Sequence, residues 1–216
     1  MAFTYFFRDL QTLDAVREYA LPYLKTKQYI DIWDAGCASG QEPYSLSMLL
    51  NESMGYMLFR NVRILATDID ESNLFEKIIK EGIYPREQIQ RIPKDIFDKF
   101  FKPAEAEGYF ILGEEIRKSV TYSKHNLLSL VPPKKELGLI ICKNVLLHFN
   151  EVQRIDVLEM FYEALAEGGF LVMEQTQKLP KEVSHLFEPI LSNAQLFKKI
   201  ITTTAGAGSS HYCSLI

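Results

Sequence analysis

The sequence has few cysteines, no long apolar run and no opening that resembles a signal peptide. Its 216 residues include three cysteines, an odd number without CxxC spacing. This argues against a disulfide framework and a structural zinc site, and it favours a reducing compartment. No apolar stretch reaches the roughly 20 residues that cross a bilayer, and "MAFTYFFRDL" lacks a basic start. We therefore expect a cytoplasmic, soluble protein.

An excess of positive charge is also missing. The chain has 24 basic and 28 acidic residues, which gives a net charge of -4. Nucleic acid is therefore a poor first guess for a partner. The histidines show no ligand spacing, so we expect no metal site; they are His125, His148, His185 and His211. Apolar residues make up 47% of the chain and charged residues 24%, as in an ordinary globular domain.

Segments typical of strands and helices alternate along the chain. Buried strands are predicted at "YIDIWDAG", "NVRILATDID", "LGLIICKN" and "FLVMEQT". Helices are predicted at "DLQTLDAVREYALPYL", "EPYSLSMLLNES", "SNLFEKIIKEGIY" and "NEVQRIDVLEMFYEALAEGG", the last ending at Gly168 and Gly169. Near the end, "EVSHLFEPIL" predicts a helix and "LFKKIITTT" a strand. The pattern predicts one α/β domain over residues 1–204, with a mostly parallel sheet between helices on both faces, followed by a flexible tail at 205–216.

Ligands of such sheets lie beyond the carboxyl ends of the strands. The first strand ends in "DAGCASGQEPYS", where Gly36 and Gly40 let the backbone approach a ligand closely. The spacing lacks the G-x-G-x-x-G pattern that a pyrophosphate needs. Glu42 near the helix start would repel a phosphate but suits a cation or an amine. We therefore expect a ligand with little phosphate and some positive charge.

Polar residues follow three further strands. Asp68, which is nearer the strand end, is placed to accept hydrogen bonds from two ribose hydroxyls, and the neighbouring Asp70 could as well be the N-cap of the next helix. The segment 125–128 could recognise an adenine edge, and the segment 142–144 would face a reacting group. A nucleoside with a positive centre and no phosphate describes S-adenosylmethionine.

Several motifs together resemble the CheR-type chemotaxis receptor methyltransferases. They are "FFRDL", "AGCASGQEPYSLSML", "ILATDIDESNL", "HNLL" and "IICKNVLLHFN", and the similarity runs from about Thr4 to about Thr203. The resemblance implies a Rossmann-like S-adenosylmethionine methyltransferase fold without the N-terminal helical domain common in that family. It also implies methyl transfer to glutamate side chains of a receptor or signalling protein, with S-adenosylhomocysteine as product. We expect a monomer with no membrane insertion.

The resemblance also assigns candidate site residues. Arg8 would pair with the carboxylate of the cofactor, Asp68 would bind its ribose, and Glu42 would lie near its methionine part. Arg8, Lys143 and His148 are the candidate catalytic residues. The full set expected to bind the cofactor is Thr4, Arg8, Gly36, Glu42, Asp68, Asn126, Leu127, Cys142, Lys143 and Asn144.

Two substitutions and one short segment depart from the family pattern. The usual "CRNVLIYF" is "CKNVLLHF" here, so Lys143 replaces an arginine and His148 a tyrosine that lies beside the substrate. Either new side chain could steer an acceptor carboxylate, or His148 could act as a base toward a hydroxyl or amine. The stretch from Gly108 to His125 is short where relatives that dock on a receptor tail carry a small β-unit. Two alternatives therefore stay open: a weak or inactive domain that senses the cofactor or its product, and an enzyme with a small-molecule acceptor.

Overall fold

A computed structural model describes residues 4–174 and 178–201 of the chain. The α-helices are α1 Leu10–Ala15, α2 Leu21–Leu24, α3 Gln41–Phe59, α4 Phe75–Glu81, α5 Arg86–Ile89, α6 Lys94–Phe100, α7 Glu114–Lys118 and α8 Glu151–Ala164. The strands are β1 Ile30–Ala35, β2 Val62–Asp68, β3 Ile83–Pro85, β4 Phe101–Pro103, β5 Tyr109–Leu112, β6 Val120–Lys124, β7 Leu137–Cys142, β8 Leu165–Met173, β9 Phe187–Pro189 and β10 Leu196–Lys199. A π-helical turn, Val16–Ala20, joins α1 to α2. No helix in these described ranges is long and apolar enough to cross a membrane.

The main sheet has seven strands in the order β6-β2-β1-β7-β8-β10-β9. The five strands from β6 to β8 are parallel, whereas β10 runs antiparallel to both β8 and β9. β1 pairs with β2 on one side and with β7 on the other. The strands that follow β1 in the sequence are therefore added first on one side of it and then on the opposite side. This is a Rossmann-like order, which confirms the predicted fold class. The carboxyl ends of β1 and β7 form its switch point.

Alternation along β1 divides the core between the two faces of the sheet. Ile30 and Ile32 are buried in the cluster that also contains apolar residues of α1, α2 and α3. Trp33 and Ala35 are buried in the cluster that contains apolar residues of α8. The rings of Trp33 and Phe161 meet edge to face, with centroids 5.2 Å apart. The central strand is therefore covered on both sides, as a parallel strand requires.

Two predicted boundaries near the end of the chain are wrong. The helix expected to end at Gly168 and Gly169 ends at Ala164, because the following residues pair with β7. The two glycines lie within β8 at a shift in register, and Gly168 has a φ of +73°. In place of the helix predicted at "EVSHLFEPIL", a 3-10 helix at Lys181–Leu186 leads into β9, which pairs with β10. In both places strand pairing outweighs local helical preference.

A second, antiparallel sheet has three strands in the order β3-β5-β4. The segment after Gly108 is short where relatives that dock on a receptor tail carry a small β-unit. Two of the three strands come from earlier in the chain, however, so the segment after Gly108 needs to supply only β5. The predicted tail at 205–216 and the last residues of "LFKKIITTT" lie outside the described residues.

Phe161 provides a test of the core beneath the sheet. Its side chain has no exposed surface and packs against Trp33. We expect Phe161→Ala to lower the free energy of unfolding by about 3–5 kcal/mol, because it leaves a cavity and removes an aromatic contact. Val152 lies on the same helix with 67% of its surface exposed, so Val152→Ala should change stability by less than about 0.5 kcal/mol. Urea denaturation of both variants measures the difference, and equal losses would contradict the packing described.

Candidate active site

A cavity of about 370 Å³ lies at the carboxyl ends of β1, β2, β6 and β7. This volume is within the range of small-molecule sites, and the position is the switch point of the sheet. The predicted site residues that line the cavity are Thr4, Arg8, Gly36, Glu42, Asp68, Asn126, Leu127, Lys143, Asn144 and His148. The fold therefore brings together residues that are up to 144 positions apart in the chain, from Thr4 to His148.

The turn after β1 is fixed to the end of β2. The amides of Gly36 and Cys37 both donate to the carbonyl oxygen of Thr67, at 2.7 and 3.0 Å. Gly36 has a φ of +104°, and a Cβ atom there would lie 2.1 Å from Cγ2 of Val145. Only glycine fits this position, because a side chain would be strained by the backbone and would collide with the residue above it. Gly40, by contrast, caps α3 and does not line the cavity.

Hydrogen bonds separate the roles of the two acids that follow β2. Asp70 accepts from the amide of Phe75 at 3.0 Å and from the hydroxyl of Ser72 at 2.7 Å, so it stabilises the start of α4. Asp68 lines the cavity and accepts from the amide of Ala38 at 3.0 Å. Each carboxylate oxygen keeps a further lone pair for a ligand hydroxyl. Asp68 is therefore the acid available to a sugar.

Lys143 forms a buried ion pair at the cavity. Its side chain is only 4% exposed, and its Nζ lies 3.0 Å from Oε2 of Glu42 and 3.8 Å from Oδ2 of Asp9. Burial alone would lower the pKa of Lys143, but the charge and hydrogen bond of Glu42, followed by Asp9 and Asp34, raise it. Lys143 therefore stays protonated and neutralises Glu42. Its charge is compensated within the protein, and the expectation that Lys143 steers an incoming carboxylate stays a prediction.

Arg8 connects the N-terminal segment to the end of β7. Its Nη2 donates to Oδ1 of Asn144 at 3.3 Å, and the amide of Phe7 donates to Oγ of Ser45 at 2.8 Å. The segment before α1 is thus part of the cavity wall.

Asn126 also lines the cavity. Its Oδ1 accepts a hydrogen bond from the amide of Leu128 at 3.0 Å, so this side chain closes a turn as well.

Cys142 is the predicted site residue that does not line the cavity. It is 1% exposed and is buried in the cluster with Trp33, because alternation along β7 turns its side chain toward α8. The side chain of Cys142 therefore packs in the core, apart from the wall of the cavity. His148, in contrast, is exposed and lines the cavity.

Several lining residues carry no chemical signal in the sequence. They are Cys37, Ala38, Thr67, Ile69, Val145 and Phe149, in addition to His125 and Leu128 of the predicted adenine segment. The sequence indicates that they belong to the cavity only through their position next to the predicted motifs. Ile69, Val145 and Phe149 among them add apolar side chains to the wall of the cavity.

Left-handed backbone occurs at two residues that line the cavity. Ala38 and Asn144 have positive φ angles, although neither is glycine. Such conformations cost about 1–3 kcal/mol each and persist where the surrounding structure enforces them. Asn tolerates this region well, whereas Ala38 is held in it by the hydrogen bond from its amide to Asp68.

Comparison with known proteins identifies the family. Residues 2–195 match the family model described as "CheR methyltransferase, SAM binding domain". The chain belongs to this family. It is 35% identical over 184 residues to the chemotaxis protein methyltransferase of Borreliella burgdorferi, which covers 82% of this chain and 64% of that protein. It is 29% identical over 194 residues to the probable chemotaxis protein methyltransferase of Rhizobium etli, covering 87% and 72%.

This CheR domain thus spans about two-thirds of the length of these relatives. Among solved structures, a TehB-like SAM-dependent methyltransferase from Corynebacterium glutamicum is similar, with 15% identity, a TM-score of 0.45, and coverage of 88% of this chain and 91% of that one. The assignment of the fold rests on the strand order of the main sheet and not on this similarity.

The cofactor of the CheR domain is S-adenosylmethionine, and the cavity fits it. Gly36 leaves room where a Cβ would meet Val145, Asp68 offers a carboxylate at the end of β2, and Ile69 and Leu127 supply apolar surface. The buried Glu42–Lys143 pair provides polar partners near the first turn. These are the donor and acceptor types that a sugar, a base and an amino acid part require.

Gly36→Ala tests the shape of this cavity. We expect a loss of affinity for S-adenosylmethionine of more than about tenfold, because the added Cβ displaces Val145 or the turn. Gly108→Ala is the matched control, because Gly108 also has a positive φ, of +80°. A Cβ atom at Gly108 would have no heavy atom within 4 Å, and Gly108 does not line the cavity. Titration calorimetry should find its affinity unchanged. Equal affinities for both variants would show that the turn does not shape the site.

Proposed function

We propose that this protein transfers the methyl group of S-adenosylmethionine to glutamate carboxylates of a receptor or other signalling protein. One observation carries the proposal: the turn at Gly36, the acid Asp68 and the buried Glu42–Lys143 pair converge on a single cavity at the switch point. The family of the domain and the names of its relatives support the same activity. The protein would act as a cytoplasmic monomer.

The residues predicted to bind the cofactor each have a role in this proposal. Asp68 would accept hydrogen bonds from the two ribose hydroxyls, and Arg8 would pair with the carboxylate of the methionine part. Glu42 would lie near the methionine part, while Asn126 and Leu127 would lie beside the adenine. Thr4 and Asn144 complete the wall near Arg8. These assignments follow from the resemblance, and the position of the side chains around one cavity supports them.

The proposed reaction needs little acid–base chemistry. Bound S-adenosylmethionine supplies a methyl group that is displaced from sulfur in line with the attacking atom. A glutamate side chain with an ordinary pKa of about 4.3 is already ionised at neutral pH, so it needs no general base. The protein orients this carboxylate and excludes water. Because Lys143 pairs with Glu42 and Arg8 is assigned to the cofactor carboxylate, the exposed His148 is the predicted catalytic residue placed to meet the acceptor.

The small sheet supports a receptor as partner. By resemblance, relatives that dock on a receptor tail use a small β-unit, and β3, β5 and β4 form one here. The relatives' names refer to chemotaxis, which is consistent with a chemoreceptor as the methyl acceptor.

Methyl transfer from labelled S-adenosylmethionine tests the proposed activity. We expect label on acidic receptor or signalling proteins, released by mild base because the product is an ester. Asp68→Ala should abolish labelling by removing the sugar contact. Base-stable label would point to a hydroxyl or amine acceptor and would contradict the glutamate assignment. Tight binding without transfer to any candidate acceptor would instead favour a sensor of the cofactor.

His148→Tyr tests whether His148 acts as a base. Because an ionised carboxylate needs no base, and because tyrosine is the usual residue of the family here, we expect methylation to be maintained or raised. The control is His185→Tyr, since His185 is exposed and lies outside the cavity; its activity should not change. Initial rates at saturating donor measure both variants. Complete loss of activity in His148→Tyr alone would show that His148 takes a proton from the acceptor.

A further inference from the structure

Asp34 is a buried carboxyl group near the cavity that the proposed mechanism does not use. It has no exposed surface, and in the described part of the chain neither of its carboxyl oxygens has a hydrogen-bond partner. It lies on β1, two positions before Gly36, which lines the cavity. Burying an ionised carboxylate without partners is costly, so the neutral acid is favoured.

Charged groups from three neighbouring elements act on Asp34. Glu42 belongs to α3, Lys143 follows β7 and Asp68 ends β2, and all three line the cavity. Burial first, and then the charge of Glu42, raise the pKa of Asp34 well above its ordinary value; Lys143 lowers it and Asp68 raises it. Lys143 gives only partial compensation, because its ammonium group contacts Glu42 and Asp9.

Other titratable groups near Asp34 keep their charge state. Burial, followed by the nearby carboxylates, raises the pKa of the Cys37 and Cys142 thiols well above the ordinary value, so both remain neutral. The pKa of Lys143 is raised, so it keeps its proton. Asp34 is a buried acid without a hydrogen-bond partner in the described part of the chain, and a new positive charge near it would favour its ionisation.

We propose that Asp34 makes the protein favour the methyl donor over its spent product, by releasing a proton when a cation enters the cavity. The inference rests on the S-adenosylmethionine site proposed above. Donor and product share the sugar, base, ammonium and carboxylate, but the donor has a positive sulfonium and the product a neutral thioether. A positive charge among Glu42, Asp68 and Lys143 favours ionised Asp34, since charges interact strongly where water is excluded. The O–H bond of the carboxyl group breaks, its electron pair stays on the carboxylate and the proton passes to the buffer.

Linkage fixes the direction of the pH dependence. If free protein holds this proton and the donor complex has lost it, donor binding releases a proton and becomes tighter as pH rises. The effect ends at the raised pKa of Asp34 in the free protein. The product has no sulfonium, so its binding releases fewer protons and its affinity changes less with pH. Selectivity for the donor should therefore increase with pH below that limit.

Titration calorimetry of the full chain, in buffers with different heats of ionisation, counts the protons released. We expect S-adenosylmethionine to release more than S-adenosylhomocysteine, by an amount approaching one proton, so that its affinity rises up to about tenfold more per pH unit. The ammonium group common to both ligands cancels in this comparison. In Asp34→Asn the difference should vanish. Asp31→Asn is the control, because Asp31 lies on the same strand, pairs with Lys134 at 2.6 Å and does not line the cavity; it should keep the wild-type difference.

Two results would overturn this inference. One is equal proton release by the two ligands in the unmodified protein, a measurement that needs no variant and stays decisive if Asp34→Asn does not fold. The other is a difference that persists in folded Asp34→Asn. Binding of neither ligand would overturn the cofactor site and, with it, this inference, whereas binding without a proton difference leaves the proposed function intact.

Discussion

The junction between the ends of β1 and β2 is the constraint on which the site depends. One carbonyl oxygen, that of Thr67, accepts both amides of the first turn, and Asp68 accepts the next amide at Ala38. The side chain of Thr67 is fixed in turn by the indole of Trp33, which donates to Oγ1 at 2.8 Å. The two strand ends therefore form one rigid unit. Glycine is needed at position 36 because this unit brings the turn against Val145.

Charge compensation determines which cavity residues remain available to ligands. A buried ammonium group without a partner is costly, and Lys143 avoids that cost through Glu42 and Asp9. A lysine is suited to this position because its compact charge can contact two carboxylates at once, whereas a guanidinium group favours a planar, paired geometry. Lys143, where the sequence pattern of the family has an arginine, thus places its charge against two carboxylates of the protein.

The sequence predicted which residues meet at the cavity wherever their position depends on a strand end. Gly36, Glu42 and Asp68 lie at or just beyond such ends, where a parallel sheet must bring them together. What failed depends on pairing between distant segments: the end of α8, the strand β9 and the small sheet. Two finer questions also lay beyond the pattern. The hydrogen bonds of Asp68 and Asp70 distinguish the acid at the cavity from the acid at the start of α4. The direction in which the Cys142 side chain points follows only from the register of β7.

The excess of carboxylates around the first turn is consistent with a reaction that removes a positive charge from its cofactor. Glu42 is neutralised by Lys143, whereas Asp68 and Asp34 have no ion pair among the described side chains. A cationic ligand gains from such a site, and it loses that gain when its sulfur becomes neutral. Transfer of the methyl group would therefore weaken the interaction that held the donor. The proposed proton release gives the unpaired acid buried in the central strand a role in that difference between donor and product.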